Sequence, residues 1–184
     1  KLTITQLNTL PVDLDDEDYD YDGEPHAFEE VATTNAASGT TTIEYSKDGE
    51  NWTTNLASLT ATTVAESFEV QVRATNPNYS NVATTTATLT INPITVTVTV
   101  EDKTVAYTGS EQSGNTAYTF EGVVEGQTAT ITYAASHGAE ADTYDNGAYT
   151  ADSFAVVDGD GNDVTANYTL GDQTAGKLTI TQLN

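Results

Sequence analysis

The 184-residue chain has no cysteine, no methionine and only 5 lysines and arginines together. Without thiols it forms neither disulfides nor thiolate metal centres. Without thioethers it offers no methionine to oxidants. Both absences suit an exposed, extracellular protein. Against the 5 cations stand 28 aspartates and glutamates, a formal net charge of −23. Nucleic-acid binding needs cationic patches that release counterions, so that function class is excluded. Anionic membrane surfaces are disfavoured for the same reason. No apolar run approaches the roughly 18–20 residues of a membrane span. No stretch reads as a signal peptide or wall anchor; in an excerpt of a longer protein, these would lie outside it. Hydrophobic residues make up 37% of the chain, low for one large core and better suited to two small β-modules. No segment sustains a helical period.

What the chain does have is repetition. Lys1–Asn8 and Lys177–Asn184 are the same octapeptide, KLTITQLN, 176 residues apart. Repetition at a fixed period points to an array, stalk or fibre. The period also divides. Tyr21-Asp22-Gly23 is echoed by Tyr107-Thr108-Gly109, and Ile43-Glu44-Tyr45 by Ile131-Thr132-Tyr133. Asn78-Tyr79 is echoed by Asn167-Tyr168, and Leu89-Thr90-Ile91 by Leu178-Thr179-Ile180. The expected organisation has three parts. Residues 1–7 are the closing strand of a preceding repeat, 8–93 a first module and 94–184 a second. Pro93 cannot donate to a ladder, so the two modules meet at Asn92-Pro93 through a short, stiff junction.

Alternation marks the strands. Ile94, Val96, Val98 and Val100 take one face of a run whose other face is threonine. Phe68, Val70, Val72 and Ala74 alternate with Glu69, Gln71 and Arg73. Ala87, Leu89 and Ile91, then Ala129, Ile131 and Tyr133, follow the same rule, and Phe154 and Val156 begin another strand. Turns are expected at Asp48-Gly49, Asn76-Pro77, Asn146-Gly147 and Asp158-Gly159. Short strands at this spacing predict an all-β chain of two tandem Ig-like β-sandwich modules from a longer repeat array. Tyr79 and Tyr168, at equivalent points, are expected to bond backbone groups through their hydroxyls.

The second module resembles the MBG-type and related immunoglobulin-like repeats of large bacterial cell-surface proteins. The resemblance runs through Thr95–Val100, Tyr107-Thr108-Gly109, Gly147-Ala148-Tyr149, Asp163–Tyr168 and Ala175–Ile180. The first module fits more loosely, through Tyr45–Trp52 and Ala74–Tyr79. The resemblance implies an extracellular, cell-surface spacer or adhesin segment.

Sites are few. Asp158, Asp160, Asn162 and Asp163 have the spacing of the start of a calcium loop, although the downstream Glu of an EF-hand is missing. The same residues equally suit a hairpin turn. Asp13–Asp20 holds six carboxylates. There Asp15, Asp16 and Asp18 either share a junctional calcium ion or lie on a solvated linker. The acidity as a whole has three readings: a soluble surface, calcium sites, or adaptation to high salt. Calcium is thus the one cofactor to consider. His26 and His137 sit in turn-like contexts without a metal-like partner. No nucleophile–base pairing can be assembled, so no catalytic residue is assigned and the chain is not expected to be an enzyme. Asn51, Asn78 and Asn167 fit the N-glycosylation pattern, so a covalent glycan is possible in a suitable host.

The leading expectation is a structural repeat unit of an extracellular stalk or filament, acting as a rigid spacer. Its partners are neighbouring copies, joined covalently in tandem or by strand addition. The alternative is an adhesin module that binds glycan or a host protein through its loops. An adhesin is expected to expose an aromatic cluster, with Trp52 the first candidate, and a spacer is not.

Overall fold

In the computed structural model, which describes every residue except Lys1, Asn8, Ala151 and Asn184, period-two alternation becomes buried and exposed sheet faces. The chain divides into units Lys1–Asn92 and Pro93–Asn184. The first holds β1 (Glu17–Asp20), β2 (Thr42–Ser46), β3 (Phe68–Thr75) and β4 (Ala83–Asn92), in one sheet ordered β1-β4-β3-β2. Along β3, Val70, Val72 and Ala74 are buried while Glu69 and Gln71 are exposed. Along β4, Ala83, Ala87, Leu89 and Ile91 are buried. The valines, leucine and isoleucine among them each stabilise the fold by about 1.5–3 kcal/mol when taken out of water.

The second unit is built from shorter pieces. They are β5 (Ile94–Thr99), β6 (Lys103–Ala106), β7 (Gln112–Ser113), β8 (Thr119–Glu121), β9 (Thr128–Thr130), β10 (Tyr133–Ala134), β11 (His137–Gly138), β12 (Ala148–Tyr149), β13 (Ala155–Val157), β14 (Tyr168–Thr174) and β15 (Leu178–Thr181). The pairings are β14-β5-β8, β15-β6, β13-β9, β10-β12 and β11-β7. The alternation through Ala129, Ile131 and Tyr133 is real, but it is divided between β9 and β10, which pair with different partners. The helical elements of the described residues are three 3-10 turns, at 56–58, 64–66 and 165–167. The chain is therefore all-β.

Both units close by two parallel pairings at corresponding places, the first of which is a single bridge in the first unit and a ladder in the second. In the first, Leu7 pairs with Tyr79, and β1 runs parallel to β4 with Glu17 beside Leu89. In the second, Ile94 pairs with Tyr168, and β6 runs parallel to β15 with Lys103 beside Leu178. An aspartate guards the entrance to the second ladder each time. The Thr88 amide donates to Asp16 Oδ1 at 2.7 Å, and the Lys177 amide to Asp102 Oδ1 at 2.8 Å. The tyrosines correspond as well. The Ala37 amide donates to the Tyr79 hydroxyl at 2.7 Å and the Val124 amide to that of Tyr168 at 3.2 Å. The Tyr168 hydroxyl in turn donates to Gln127 Oε1. Each phenol thus bonds a loop amide, as the sequence anticipates, from the bridge residue Tyr79 in the first unit and from the first residue of β14 in the second.

Tyr79→Phe and Tyr168→Phe are expected to cost about 0.5–1.5 kcal/mol each, the net worth of one such hydrogen bond. Urea denaturation of the two variants measures this, with faster hydrogen exchange localised to the Ala37 or the Val124 amide.

Candidate functional site

Carboxylates are the obvious candidates, and their backbone settings decide what they can do. The acidic run does not form a linker. Glu17–Asp20 is strand β1, and its burial alternates so that Glu17 and Tyr19 are partly covered while Asp18 and Asp20 face water. The signal in the sequence was the alternation Asp18-Tyr19-Asp20-Tyr21-Asp22, which sheer charge density obscures. The acids are then divided among separate tasks. Asp16 receives the Thr88 amide, and Asp18 Oδ2 accepts from Asn92 Nδ2 at 3.3 Å. Glu17 accepts the amides of Glu29 and Glu30 and the Tyr19 hydroxyl. Asp15 is exposed beside them. Asp15, Glu17 and Asp18 border an open cleft of about 450 Å³ that also includes Asp13, Glu29 and Glu30, and Asp16 is not part of its lining. Asp16 and Asp18 are thus engaged with different partners, the Thr88 amide and the Asn92 side chain.

Two turns in different units solve one problem in the same way. In the first, Asp48 Oδ1 accepts the amides of Glu50 and Asn51, at 2.8 and 2.7 Å, and the Ser46 hydroxyl, while Asn51 Nδ2 donates to Oδ2. In the second, Asp158 Oδ1 accepts the amides of Asp160 and Asn162, at 3.0 and 2.8 Å, and Asn162 Nδ2 donates to Oδ2 at 2.9 Å. Gly49 and Gly161 supply the left-handed residue of each turn, with φ of 77° and 86°. The glycine that matters in the second turn is therefore Gly161, not Gly159. Asp163 Oδ1 receives the Thr165 amide, and Asp160 is exposed. The four residues of the expected calcium loop thus act as an Asx-type turn, with both Asp158 oxygens engaged. Among the described residues no group of three or more His, Asp or Glu side chains is placed to hold a metal ion.

These contacts lower the pKa of the carboxyl groups that receive them. The amide and side chain of Asn51 hold Asp48 far below the ordinary carboxylate range, and the side chain and amide of Asn162 lower Asp158. Burial, then the hydrogen bond to Glu17, pushes the Tyr19 phenol up.

His26 is not the free turn residue its neighbours suggest. Its ring stacks on Tyr19, centroids 4.3 Å apart, and Nε2 lies 3.0 Å from Asp22 Oδ1. The Glu24 amide, then His26, lower Asp22. His137 lies on β11 and is exposed. Trp52 is half-buried; its Nε1 donates to the Gly49 carbonyl at 3.0 Å, and the Arg73 guanidinium lies 4.0 Å above its ring. Arg73 is held in turn by Glu44 at 2.8 Å. Of the possible glycan acceptors, Asn167 is buried, Asn51 is bonded to Asp48, and Asn78 Nδ2 donates to Ser38 Oγ at 3.2 Å.

The remaining candidate is a segment of backbone. Leu2 and Ile4 are each 88% exposed, whereas Leu178 and Ile180, the same residues in the second copy of the octapeptide, are 0% and 2% exposed. The later copy is strand β15. Among the described residues of the earlier one, Leu7 forms an isolated parallel bridge to Tyr79, its amide donating to the Asn78 carbonyl at 2.7 Å. Lys1, Asn8 and Asn184, at the ends of the two octapeptides, lie outside the described residues.

No family model matches the chain, and no curated protein is similar to it in sequence. Among solved structures it is similar to the N-terminal four Ig domains of Dscam1 isoform 6.9, at 8% identity and a TM-score of 0.30, over 100% of this chain and 48% of that one. It is also similar to the fibronectin(III)-like modules of Clostridium thermocellum CbhA, at 13% identity and a TM-score of 0.26, over 95% of each chain. The chain spans about half the length of the Dscam1 fragment. At these scores the fold assignment rests on the strand pairing above.

Two measurements probe the acidic turns. Asp48→Asn is expected to lower the melting temperature of the first unit at neutral pH. A lowered carboxylate stabilises fully above the ordinary aspartate pKa of about 3.9 and loses that effect as pH falls toward its folded value. The gap between wild type and variant therefore stays constant above about pH 5 and closes in stronger acid. Second, chelator-treated protein is expected to melt at the same temperature with and without about 1 mM calcium, a level that fills extracellular calcium modules. A raised melting temperature would assign calcium to these loops.

Proposed function

We propose that the chain is a repeat unit of an extracellular, cell-surface stalk or filament, working as a spacer of two diverged modules. One observation carries the reading. Leu-Thr-Ile closes the first unit at 89–91 and the second at 178–180, and occurs a third time at 2–4 with Leu2 and Ile4 in water. Two of the three copies are buried closing strands. The third fits the same place in a preceding unit. The connection is compatible: two residues separate Ile4 from Leu7, as two separate Ile91 from Ile94, and Leu7 and Ile94 both enter a new parallel pairing.

Other features support the same reading. The net charge of −23 keeps neighbouring copies apart and soluble. Many carboxylates serve turns and strand entrances. The resemblance of residues 94–181 to MBG-type surface repeats points to the same class of protein. The adhesin alternative leans on Trp52, whose indole is already occupied by Gly49 and Arg73.

The test is a tandem protein in which residues 1–176 precede residues 1–184. The internal octapeptide is expected to exchange its amide protons as slowly as Leu178–Thr181 does, and the N-terminal Leu2–Thr5 to exchange fast. Adding copies is expected to lengthen the particle in proportion, as followed by small-angle scattering. An internal octapeptide that exchanges as fast as the terminal one, or arrays that collapse instead of lengthening, would remove the reading.

A further inference from the structure

We propose that the second unit's closing slot accepts Leu2–Thr5 of a second copy of the chain, so that copies join head to tail by strand exchange. The inference rests on the reading of Leu2–Thr5 as a closing strand, and adds that the strand need not be supplied covalently.

The slot recognises its strand from both sides. On one side β6 pairs in parallel register, Lys103 to Leu178 through Ala106 to Thr181. The ladder is extended at its ends by the Lys103 amide donating to the Lys177 carbonyl and the Tyr107 amide to the Thr181 carbonyl, at 2.8 and 2.9 Å. On the other side the Tyr144 amide donates to the Leu178 carbonyl, and the Ile180 amide to the Asp142 carbonyl. Asp102 takes the Lys177 amide at the entrance. The features read are therefore backbone groups over five residues and two apolar side chains at alternate positions. Lys1–Thr5 repeats Lys177–Thr181 letter for letter. The side chains and carbonyls that the slot reads are therefore the same in both segments.

Exchange buries Leu2 and Ile4 and exposes Leu178 and Ile180 in their place, so the apolar area out of water is conserved. What differs is concentration. A tethered strand acts at an effective concentration on the order of millimolar, so the chain's own strand prevails in dilute solution. Exchange of an identical element is otherwise a low-cost route to association. Donor and acceptor lie in different units of the chain, which makes the contact heterologous. Strand addition of this kind draws its affinity from main-chain hydrogen bonds and its register from alternate side-chain pockets.

The experiment uses the full chain carrying Leu178→Asp and Ile180→Asp, which disable its own strand. By light scattering after gel filtration, at concentrations on the order of 0.1–1 mM, its weight-average mass is expected to at least double and to rise with concentration. Adding Leu2→Asp and Ile4→Asp is expected to return it to monomer. A monomer in the first variant, or an oligomer that survives the second pair of changes, overturns the proposal. If circular dichroism shows the first variant unfolded, the wild type decides. Refolded at about 1 mM it is expected to give a ladder of sizes that the Leu2→Asp/Ile4→Asp chain does not give, and monomer alone overturns the proposal. If the covalent tandem protects its internal octapeptide while these chains stay monomeric, the spacer reading stands and exchange between copies falls.

Discussion

Each unit depends on a parallel pairing between its last strand and a strand near its beginning. β4 returns to β1 and β15 returns to β6, so neither sheet is complete until the whole unit has been traversed. Parallel neighbours cannot be joined by a hairpin, and the intervening chain must supply everything else: the turns, the antiparallel ladders and the loops tied down by Tyr79 and Tyr168. Such long-range closure is entropically slow to form. It also makes the closing strand the point at which one unit ends and the next begins. Three residues after the last buried isoleucine of the first unit, Ile91, the chain is already opening the second at Ile94.

Acidity is reconciled with this fold by giving many carboxylates backbone duties. Asp16 and Asp102 accept the amide just before each closing strand. Asp48 and Asp158 organise turns, Glu17 gathers the amides of Glu29 and Glu30, and Glu66 those of Thr62 and Thr63. A carboxylate is acceptor-only and can receive several N–H groups at once, which suits positions where a strand or turn leaves amides unpaired. The same residue types in the same spacing would serve a cation. The difference lies in whether their oxygens converge on a common point or on amides of their own chain.

That distinction was the least legible in the sequence. The alternating strands at Val70–Ala74, Ala87–Ile91 and Val96–Val100 could be read directly, because a side-chain period of two needs no knowledge of the partner. The two tyrosines could be placed because they recur at equivalent points. Strand β1 was hidden by its own charge: a period-two pattern whose outward face is all aspartate looks like a linker. The stacking of His26 on Tyr19 and the parallel pairing of β6 with β15 depend on segments distant in sequence, and no local pattern encodes them. Ile131 is buried as its alternation implies, but the switch of partners between β9 and β10 is a tertiary event.

The two-module period has a physical logic of its own. Adjacent domains of identical sequence can complete one another's sheets, a characteristic failure of tandem repeats during folding. In this chain the neighbours differ. β1, which receives the closing strand of the first unit, reads Glu-Asp-Tyr-Asp, whereas β6 reads Lys-Thr-Val-Ala. The closing strand of the first unit is part of a ten-residue strand already paired along β3, while that of the second is a strand of four residues. A strand displaced from one slot therefore meets a different lining next door, and its true equivalent lies 176 residues away. Divergence between the two units thus gives each closing strand a lining that the other unit does not repeat.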